Sequence, residues 1–298
     1  MIDYIKAYFK DKDAIQHHIS QSYGMETNEY SRFCKKENRQ INHCSYFQNF
    51  HNLYIKITDK SGFVENSLHT LFNNMNGSEI NRNDNDFAYS DLIVSLDYLE
   101  TLLDCSLDDA YLSQGLEFGF NIEVPFDVDD FINNDCVFYN FRTHTSTEDT
   151  DVKTIKVFSK GYCSFKIYNK GKQFQLNYPL LRVELKFIDK RGFNNLGIYT
   201  LSDLSDKNNL QKIFNLMYYE FNKHLLIVDN IEVCAFSDYK NRIIHRYTSF
   251  KFWNELPTFK LKKEKLKCLK ILQKNKLLNN KKCVLDAIQS KFYELINK

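Results

Sequence analysis

Glycine and proline are scarce in this chain of 298 residues, which contains 9 Gly and 3 Pro. A composition this poor in turn-forming residues argues against a protein built mainly of loops or linkers. The sequence also lacks an apolar run as long as a membrane span, and its start, MIDYIKAYF, carries charges where a signal peptide needs an apolar core. We therefore expect a soluble protein of the cytoplasm.

Several catalytic signatures are missing from the sequence. It has neither a Walker-type nor a GxGxxG phosphate loop, which disfavours nucleotide hydrolysis and dinucleotide-dependent redox chemistry. It has no GxSxG nucleophile elbow. The eight His residues nowhere form His-x-His, so the two-histidine metal motif common among DNA-nicking enzymes is absent as well.

The eight Cys residues are scattered and form no CxxC pair, which favours reduced thiols over a disulfide framework. Cys34 and Cys44 lie near His43 and His51 in the sequence, but this spacing matches no common zinc site. We expect ordinary side chains at these positions rather than zinc ligands.

Charge is distributed unevenly, although the net charge is only +2. Acidic residues concentrate in 84–91 and 123–135, whereas lysines crowd the C-terminal part of the chain. Such asymmetry indicates a surface for nucleic acid. The lysines predicted to contact DNA are Lys260, Lys262, Lys263, Lys267 and Lys270. A solvated face of a lysine-rich helix is the alternative explanation.

Aromatic residues make up 15% of the chain, a proportion that favours sheet-rich structure. The stretch 153–187 predicts a strand, a turn, a second strand, a polar loop and a third strand, because apolar residues recur there at alternate positions. We expect an α+β fold centred on an antiparallel sheet. It is predicted to divide into a catalytic region, 1–225, and a helical, lysine-rich region, 226–298.

Helical spacing of apolar residues predicts three helical segments. The first follows a polar loop over 73–86 and has Ser90 as its N-cap, and the second starts at Thr200 or Ser202 and ends at His224. From Leu261 onward we expect a pair of helices that is interrupted near 279–280.

A strand over 115–126 places Glu117 and Asn121 on one of its faces. A row of carboxylate and amide oxygens can bind a hard divalent cation. Ordinary exposure of a polar strand face to solvent is the alternative.

Tyr168, Lys170 and Lys172 occupy alternate positions of the middle strand of 153–187, and Glu184 lies in the third strand. Residues two apart share a face of a strand, so we expect a phenol beside two ammonium groups. A phenol with a pKa of about 10 is a poor nucleophile near neutrality unless nearby positive charge lowers that value. A structural tyrosine beside solvated lysines is the alternative.

The order of GLEFGFNIEV, KVFSKGYCSFKIYNKGKQF, LLRVELKF and GIYTLSDL resembles that of rolling-circle replication initiators from phages and plasmids. The similarity is to filamentous-phage-like initiators and, more distantly, to the trans-acting Rep proteins of staphylococcal plasmids. It extends over roughly residues 1–225.

The resemblance implies that Tyr168 is the nicking and joining nucleophile and that Lys170 is the lysine that accompanies it. Lys172 is a further catalytic candidate because of its position on the same strand. It also implies that Glu117, Asn121 and Glu184 bind Mg²⁺ or Mn²⁺. Asn121 departs from the family pattern, because the plasmid initiators have a second acid there. Gln173 departs similarly, at a position that is often Glu. Tyr162 and Tyr178 are the main competitors for the nucleophile.

The resemblance implies a protein that binds a double-stranded origin, nicks one strand and retains the 5′ phosphate on tyrosine. A host helicase and polymerase would then extend the 3′ end, and a second copy of the chain is a further candidate partner. Two alternatives remain open: a non-catalytic nucleic-acid-binding protein with the initiator fold, and a metal-dependent nuclease in which water attacks.

Overall fold

The computed structural model of the protein describes residues 1–34, 39–139, 146–149, 154–229 and 237–298, and it has an α+β fold as predicted. The strands are β1 (Tyr4–Phe9), β2 (Glu26–Cys34), β3 (Arg39–Phe50), β4 (Leu53–Thr58), β5 (Gly62–Ser67), β6 (Ala110–Leu112), β7 (Glu117–Glu123), β8 (Cys136–Tyr139), β9 (Ser146–Asp149), β10 (Thr154–Lys160), β11 (Cys163–Asn169), β12 (Leu180–Phe187) and β13 (Leu225–Ile227).

The helices, numbered along the chain, are α1 (Lys12–Ser22), α2 (Leu68–Met75), α3 (Tyr89–Leu103), α4 (Val128–Asp130), α5 (Lys170–Gln173), α6 (Arg191–Asn194), α7 (Lys207–His224), α8 (Asp238–Thr248), α9 (Phe250–Glu255), α10 (Thr258–Lys274) and α11 (Asn279–Asn297). Among the described residues, none of the helices combines the length and the apolar character needed to cross a membrane.

The chain forms two compact units, and both are discontinuous in sequence. The first unit comprises residues 1–119, 186–213 and 295–298, and the second comprises 120–185 and 214–294. The boundaries of these units differ from those of the predicted functional regions, 1–225 and 226–298. The division into functional regions stays a prediction.

The first unit contains a six-stranded sheet in the order β2-β3-β4-β5-β1-β6, with antiparallel pairing throughout. Alternation produces its buried face; in β4, for example, Leu53, Ile55 and Ile57 are buried and the residues between them are not. The predicted cap of α3 is wrong. Ser90 lies inside the helix, and the Asp91 carboxylate instead accepts a hydrogen bond from the Ala88 N–H at 2.7 Å.

The strands predicted over 153–187 are confirmed as β10, β11 and β12. They belong to a five-stranded sheet in the order β7-β12-β11-β10-β9. β10 and β11 pair antiparallel, with Ile155 opposite Tyr168, and Gly161 makes the turn between them at a φ of 61°. A positive φ suits glycine because it has no Cβ to clash with the backbone. Since β11 and β12 are neighbours, side chains from these two strands can meet.

The C-terminal helices of the second unit pack around one apolar cluster. Its buried members are Phe138, Leu226, Val228, Ile244, Tyr247, Trp253, Cys268, Leu272 and Leu277. The sequence predicted α10 and α11, but α8 and α9 had not been predicted. The interruption predicted near 279–280 lies slightly earlier, between the end of α10 at Lys274 and the start of α11 at Asn279. The Asp229 carboxylate accepts hydrogen bonds from the N–H groups of Asn279 and Asn280 and so caps the start of α11.

The predicted start of the preceding helix also needs correction. Ser202 begins a short 3₁₀ turn that ends at Ser205, and α7 starts at Lys207. The Asp206 carboxylate accepts a hydrogen bond from the Asn208 N–H at 2.8 Å, which satisfies a backbone donor at the new start. A carboxylate here replaces the predicted hydroxyl caps Thr200 and Ser202.

Candidate active site

Tyr168 lies near the end of β11 and is 8% exposed. Its hydroxyl donates a hydrogen bond to Oε1 of Glu184 at 3.1 Å. The carboxylate comes from β12, the neighbouring strand of the sheet. The predicted meeting of this phenol and this carboxylate is therefore present within the second unit.

Glu184 is also surrounded by positive charge. The Nε of Arg182 donates to Oε1 at 3.0 Å, and the Nζ of Lys166 lies 3.6 Å from Oε2. Arg182 and Glu184 are two residues apart on β12, and Lys166 and Tyr168 are two apart on β11. Because alternate residues of a strand share a face, two neighbouring strands bring all four side chains together.

Arg182 bridges two acceptors. Besides its bond to Glu184, it donates from a terminal nitrogen to Oδ1 of Asn121 at 3.2 Å. All three residues are buried, and Arg182 and Glu184 are each only 2% exposed. A buried carboxylate is costly unless it is paired and hydrogen-bonded. Arg182 therefore neutralises Glu184 and fixes its orientation.

The predicted placement of Lys170 and Lys172 on the strand is wrong. β11 ends at Asn169, whose Oδ1 accepts a hydrogen bond from the Lys172 N–H at 2.8 Å, and the chain continues as the short helix α5. This Asn cap breaks the strand alternation. The two ammonium groups are consequently not on the strand face that carries the phenol.

The two lysines take different positions. Lys170 is 1% exposed, and its Nζ lies 5.4 Å from the ring centre of Tyr168 and 4.9 Å from that of Phe174. Lys172 points elsewhere: its Nζ lies 3.2 Å from Oδ2 of Asp129 and 3.2 Å from Oγ1 of Thr154. Lys170 thus lies beside the Tyr168 ring, and Lys172 pairs with Asp129.

Asp129 is a charged neighbour of the candidate site that the sequence did not reveal. Burial favours its neutral form, but hydrogen bonds from Asn169, Thr154 and Lys172, together with the Lys172 charge, hold the pKa of its carboxyl below the usual range. Asn169 donates to it from Nδ2 at 2.7 Å. Asp129 therefore remains ionised and ties α4 to the residues that follow Tyr168.

Glu117 and Asn121 of β7 are not exposed to solvent, although Glu123 at the end of the strand is. The first six residues of this strand are buried, including Glu117 and Asn121, so the solvent-exposed interpretation is wrong. Glu117 belongs to the first unit, where its Oε1 lies 2.9 Å from the Nζ of Lys186. Lys186 in turn lies over the ring of Tyr4, at 5.5 Å from its centre. Each of the predicted oxygen ligands is thus bonded to a basic side chain: Glu117 to Lys186, and Asn121 and Glu184 to Arg182.

The five lysines predicted to contact DNA all lie on α10 and are all exposed. Lys267 pairs with Glu264 at 3.0 Å, and this hydrogen bond contributes most to holding the pKa of the Glu264 carboxyl below the usual range. Cys268 and Leu272 on the same helix are buried. α10 therefore has an apolar side in the core and a basic side in solvent.

In the cysteine and histidine stretch of the first unit, His43 is paired with an acid and packs against an aromatic ring. Its Nδ1 lies 2.9 Å from Oδ2 of Asp59, and its ring stacks on Tyr30. The side chain of Cys34 lies outside the described residues. The expectation of ordinary side chains at these four positions stays a prediction.

Neither a protein-family model nor a curated protein matches the sequence of this chain.

Removal of the Arg182 charge is expected to destabilise the second unit. In Arg182→Met, Glu184 would remain buried without the guanidinium that hydrogen-bonds to it, and the unfolding free energy should fall by about 3 kcal/mol. Arg191→Met is the matched control, because Arg191 pairs with Asp189 while being 70% exposed. Exposed pairs contribute little, so that variant should lose less than about 1 kcal/mol. Urea denaturation measures the unfolding free energy of both variants. Equal losses would contradict the conclusion that Arg182 stabilises the buried Glu184 carboxylate.

Proposed function

We propose that this protein is a rolling-circle replication initiator that nicks one strand of its origin and later rejoins it, with Tyr168 as the nucleophile. The observation that carries the proposal is the hydrogen bond from the Tyr168 hydroxyl to Glu184, beside the positive charges of Lys166, Lys170 and Arg182. A nucleophile, a base and a group that orients the base are the parts that covalent catalysis requires. DNA as the substrate comes from the resemblance of the sequence motifs.

In the proposed nicking step, Tyr168 transfers its proton to Glu184 while its oxygen attacks the phosphorus of a DNA phosphodiester. The bond from phosphorus to the 3′ oxygen breaks, and Glu184 returns the proton to that oxygen. The products are a free 3′ hydroxyl and a 5′-phosphotyrosine ester, with the number of bonds to phosphorus unchanged. Rejoining is the reverse reaction, which needs no external energy because the ester conserves that of the original bond.

The cations have distinct roles in this proposal. Lys166 and Lys170 stabilise the negative charge that develops on the phenol oxygen and on the phosphate in the transition state. Arg182 is a positioning residue, because it holds Glu184 and Asn121 through separate nitrogens. Lys172, which was predicted to be catalytic, is left out of this step, because its ammonium group is paired with Asp129 and bonded to Thr154.

Mg²⁺ or Mn²⁺ stays part of the proposal, because the carboxylate of Glu184 and the amide oxygen of Asn121 are ligand types that such ions prefer. When bound, the ion would supply further stabilisation of charge on the phosphate. Arg182 hydrogen-bonds to the same two residues and would compete with the ion for their oxygens. Glu117, in the first unit, stays a predicted ligand.

The pairing of Asn121 and Glu184 with Arg182 also favours a second candidate, a non-catalytic DNA-binding protein with the same fold. In that case the guanidinium substitutes for the metal permanently, and no nick forms. Origin recognition, a host helicase and polymerase, a second copy of the chain and a cytoplasmic location are shared by both candidates as proposals.

Tyr168→Phe should abolish nicking, because phenylalanine has no oxygen that can attack phosphorus. The measurement uses a supercoiled plasmid that carries the cognate origin and follows both the nicked circle and the covalent protein–DNA adduct. Loss of a nucleophile should lower the rate by at least about a thousandfold. Tyr162→Phe and Tyr178→Phe are the controls and should retain activity. If Tyr168→Phe still formed the covalent adduct, another residue would be the nucleophile. If the wild-type protein nicked DNA without forming any adduct, water would be the attacking group.

Metal removal tests the cation separately. EDTA should stop nicking by the wild-type protein, because it removes the divalent ion from solution. An excess of Mg²⁺ or Mn²⁺ should restore nicking, because the chelator leaves the protein ligands unchanged. Circular dichroism before and after EDTA controls for unfolding. Unimpaired nicking in EDTA would remove the metal from the proposal and leave the protein cations as the only stabilising charges.

Replacement of all five predicted lysines of α10 by alanine should weaken the salt dependence of DNA affinity. The slope of log affinity against log salt should fall by about 0.9 for each lysine that contacts a phosphate of duplex DNA. Removal of the whole region is unsuitable as a test, since it would also remove Cys268 and Leu272 from the core. The control loses the same charge from exposed lysines elsewhere: Lys10, Lys60, Lys190, Lys207 and Lys223. An equal slope in both variants would refute a specific role for α10.

A further inference from the structure

A cavity of about 700 Å³ opens beside the residues that follow Tyr168. One wall is the segment 124–128, and the other consists of residues from Asn169 to Pro179. All of them belong to the second unit. We refer to this space as the Tyr178 cavity, after the tyrosine that lines it. Its volume lies in the range of pockets that hold small organic ligands.

The wall that contains Tyr178 is held in place by close backbone packing at Gly171. A Cβ at this position would lie 2.8 Å from the carbonyl oxygen of Tyr178 and 3.2 Å from the backbone nitrogen of Leu180. The Leu176 N–H donates to the Gly171 carbonyl at 2.8 Å, which closes the loop onto α5. The Tyr178 cavity therefore has a defined shape, because its wall is fixed to the element that directly follows Tyr168.

The side chains of the cavity combine ring faces with polar groups. Tyr178 is 39% exposed, and Phe126 is half-buried. Asn177 and Asp127 also line the cavity and are exposed, so an amide and a carboxylate face it. Oδ1 of Asp127 already accepts a hydrogen bond from the Asp130 N–H at 2.8 Å. Lys172 lines it as well, with its ammonium nitrogen 3.2 Å from the Asp129 carboxylate. Aromatic faces, planar polar groups and a cation are the features that bind an unpaired nucleotide.

We propose that the Tyr178 cavity binds one unpaired base of the DNA strand that Tyr168 cleaves, with the base stacked on the Tyr178 ring and Lys172 beside its phosphate. This inference rests on the proposed function, and it adds single-stranded DNA at the cleavage position as the substrate form. An extruded base here would fix the register of the strand, since Asn169, Gly171 and Lys172 all line the cavity and directly follow the nucleophile.

The test measures fluorescence anisotropy of labelled oligothymidylate with the full chain carrying Tyr168→Phe, so that no cleavage occurs. In this background Tyr178→Ala should weaken binding by about fivefold or more, because loss of one stacked base has that size. Tyr178→Phe keeps the ring and should bind like the parent. Tyr162→Ala is the matched control, since Tyr162 is similarly exposed in the same unit but does not line the cavity.

An abasic oligomer of equal length and charge identifies the contact as one to the base. The parent and Tyr178→Ala should bind this oligomer equally well. Equal binding of oligothymidylate by both proteins would overturn the inference while nicking by the wild type still stands. Tighter binding of oligouridylate than of oligothymidylate would overturn DNA as the ligand of the cavity. A wild-type protein that neither nicks its origin nor binds any single strand would instead refute the proposed function.

Discussion

The buried carboxylate of Glu184 is the constraint on which the rest of the candidate site depends. A carboxylate that is 2% exposed cannot keep its charge without partners, and here a guanidinium, an ammonium and a phenol surround it. Each partner is held by the pleat of β11 or β12. The sheet therefore determines the site geometry, and the charge balance determines the side-chain orientations within it.

The same contacts serve stability and the proposed chemistry. Arg182 lowers the cost of burying Glu184, and it also keeps the acceptor oxygen aimed at the Tyr168 hydroxyl. The proposed chemistry would therefore depend on the same guanidinium that makes the buried carboxylate tolerable.

Much of the sheet was predictable from sequence because its apolar residues alternate. The strands containing Tyr168 and Glu184 follow from this pattern, and their proximity follows from the short connection between them. The course of the chain after Asn169 was not predictable in this way. The Asn169 side chain caps α5 and so turns Lys170 and Lys172 away from the strand. This local hydrogen bond competes with the continuation of the strand.

Other features depend on tertiary contacts that no local pattern records. The alternating pattern of β7 is typical of a half-exposed strand, yet both of its faces are buried because basic partners distant in sequence accompany Glu117 and Asn121. Arg182 belongs to the LLRVELKF stretch, but its hydrogen bonds to both Asn121 and Glu184 depend on how β7 and β12 pair. Charge pairs across strands are set by register, which the sequence of one strand does not contain.

The contact at Gly171 limits how this part of the protein can vary. Since any larger residue there would press on the backbone at Tyr178 and Leu180, it would also displace the start of β12. Displacement of β12 would carry Arg182 and Glu184 with it. A change of loop length between 174 and 178 would likewise disturb the backbone hydrogen bond from Leu176 to Gly171. Any homologous chain that keeps the Tyr168–Glu184 hydrogen bond should have a glycine three residues after its tyrosine.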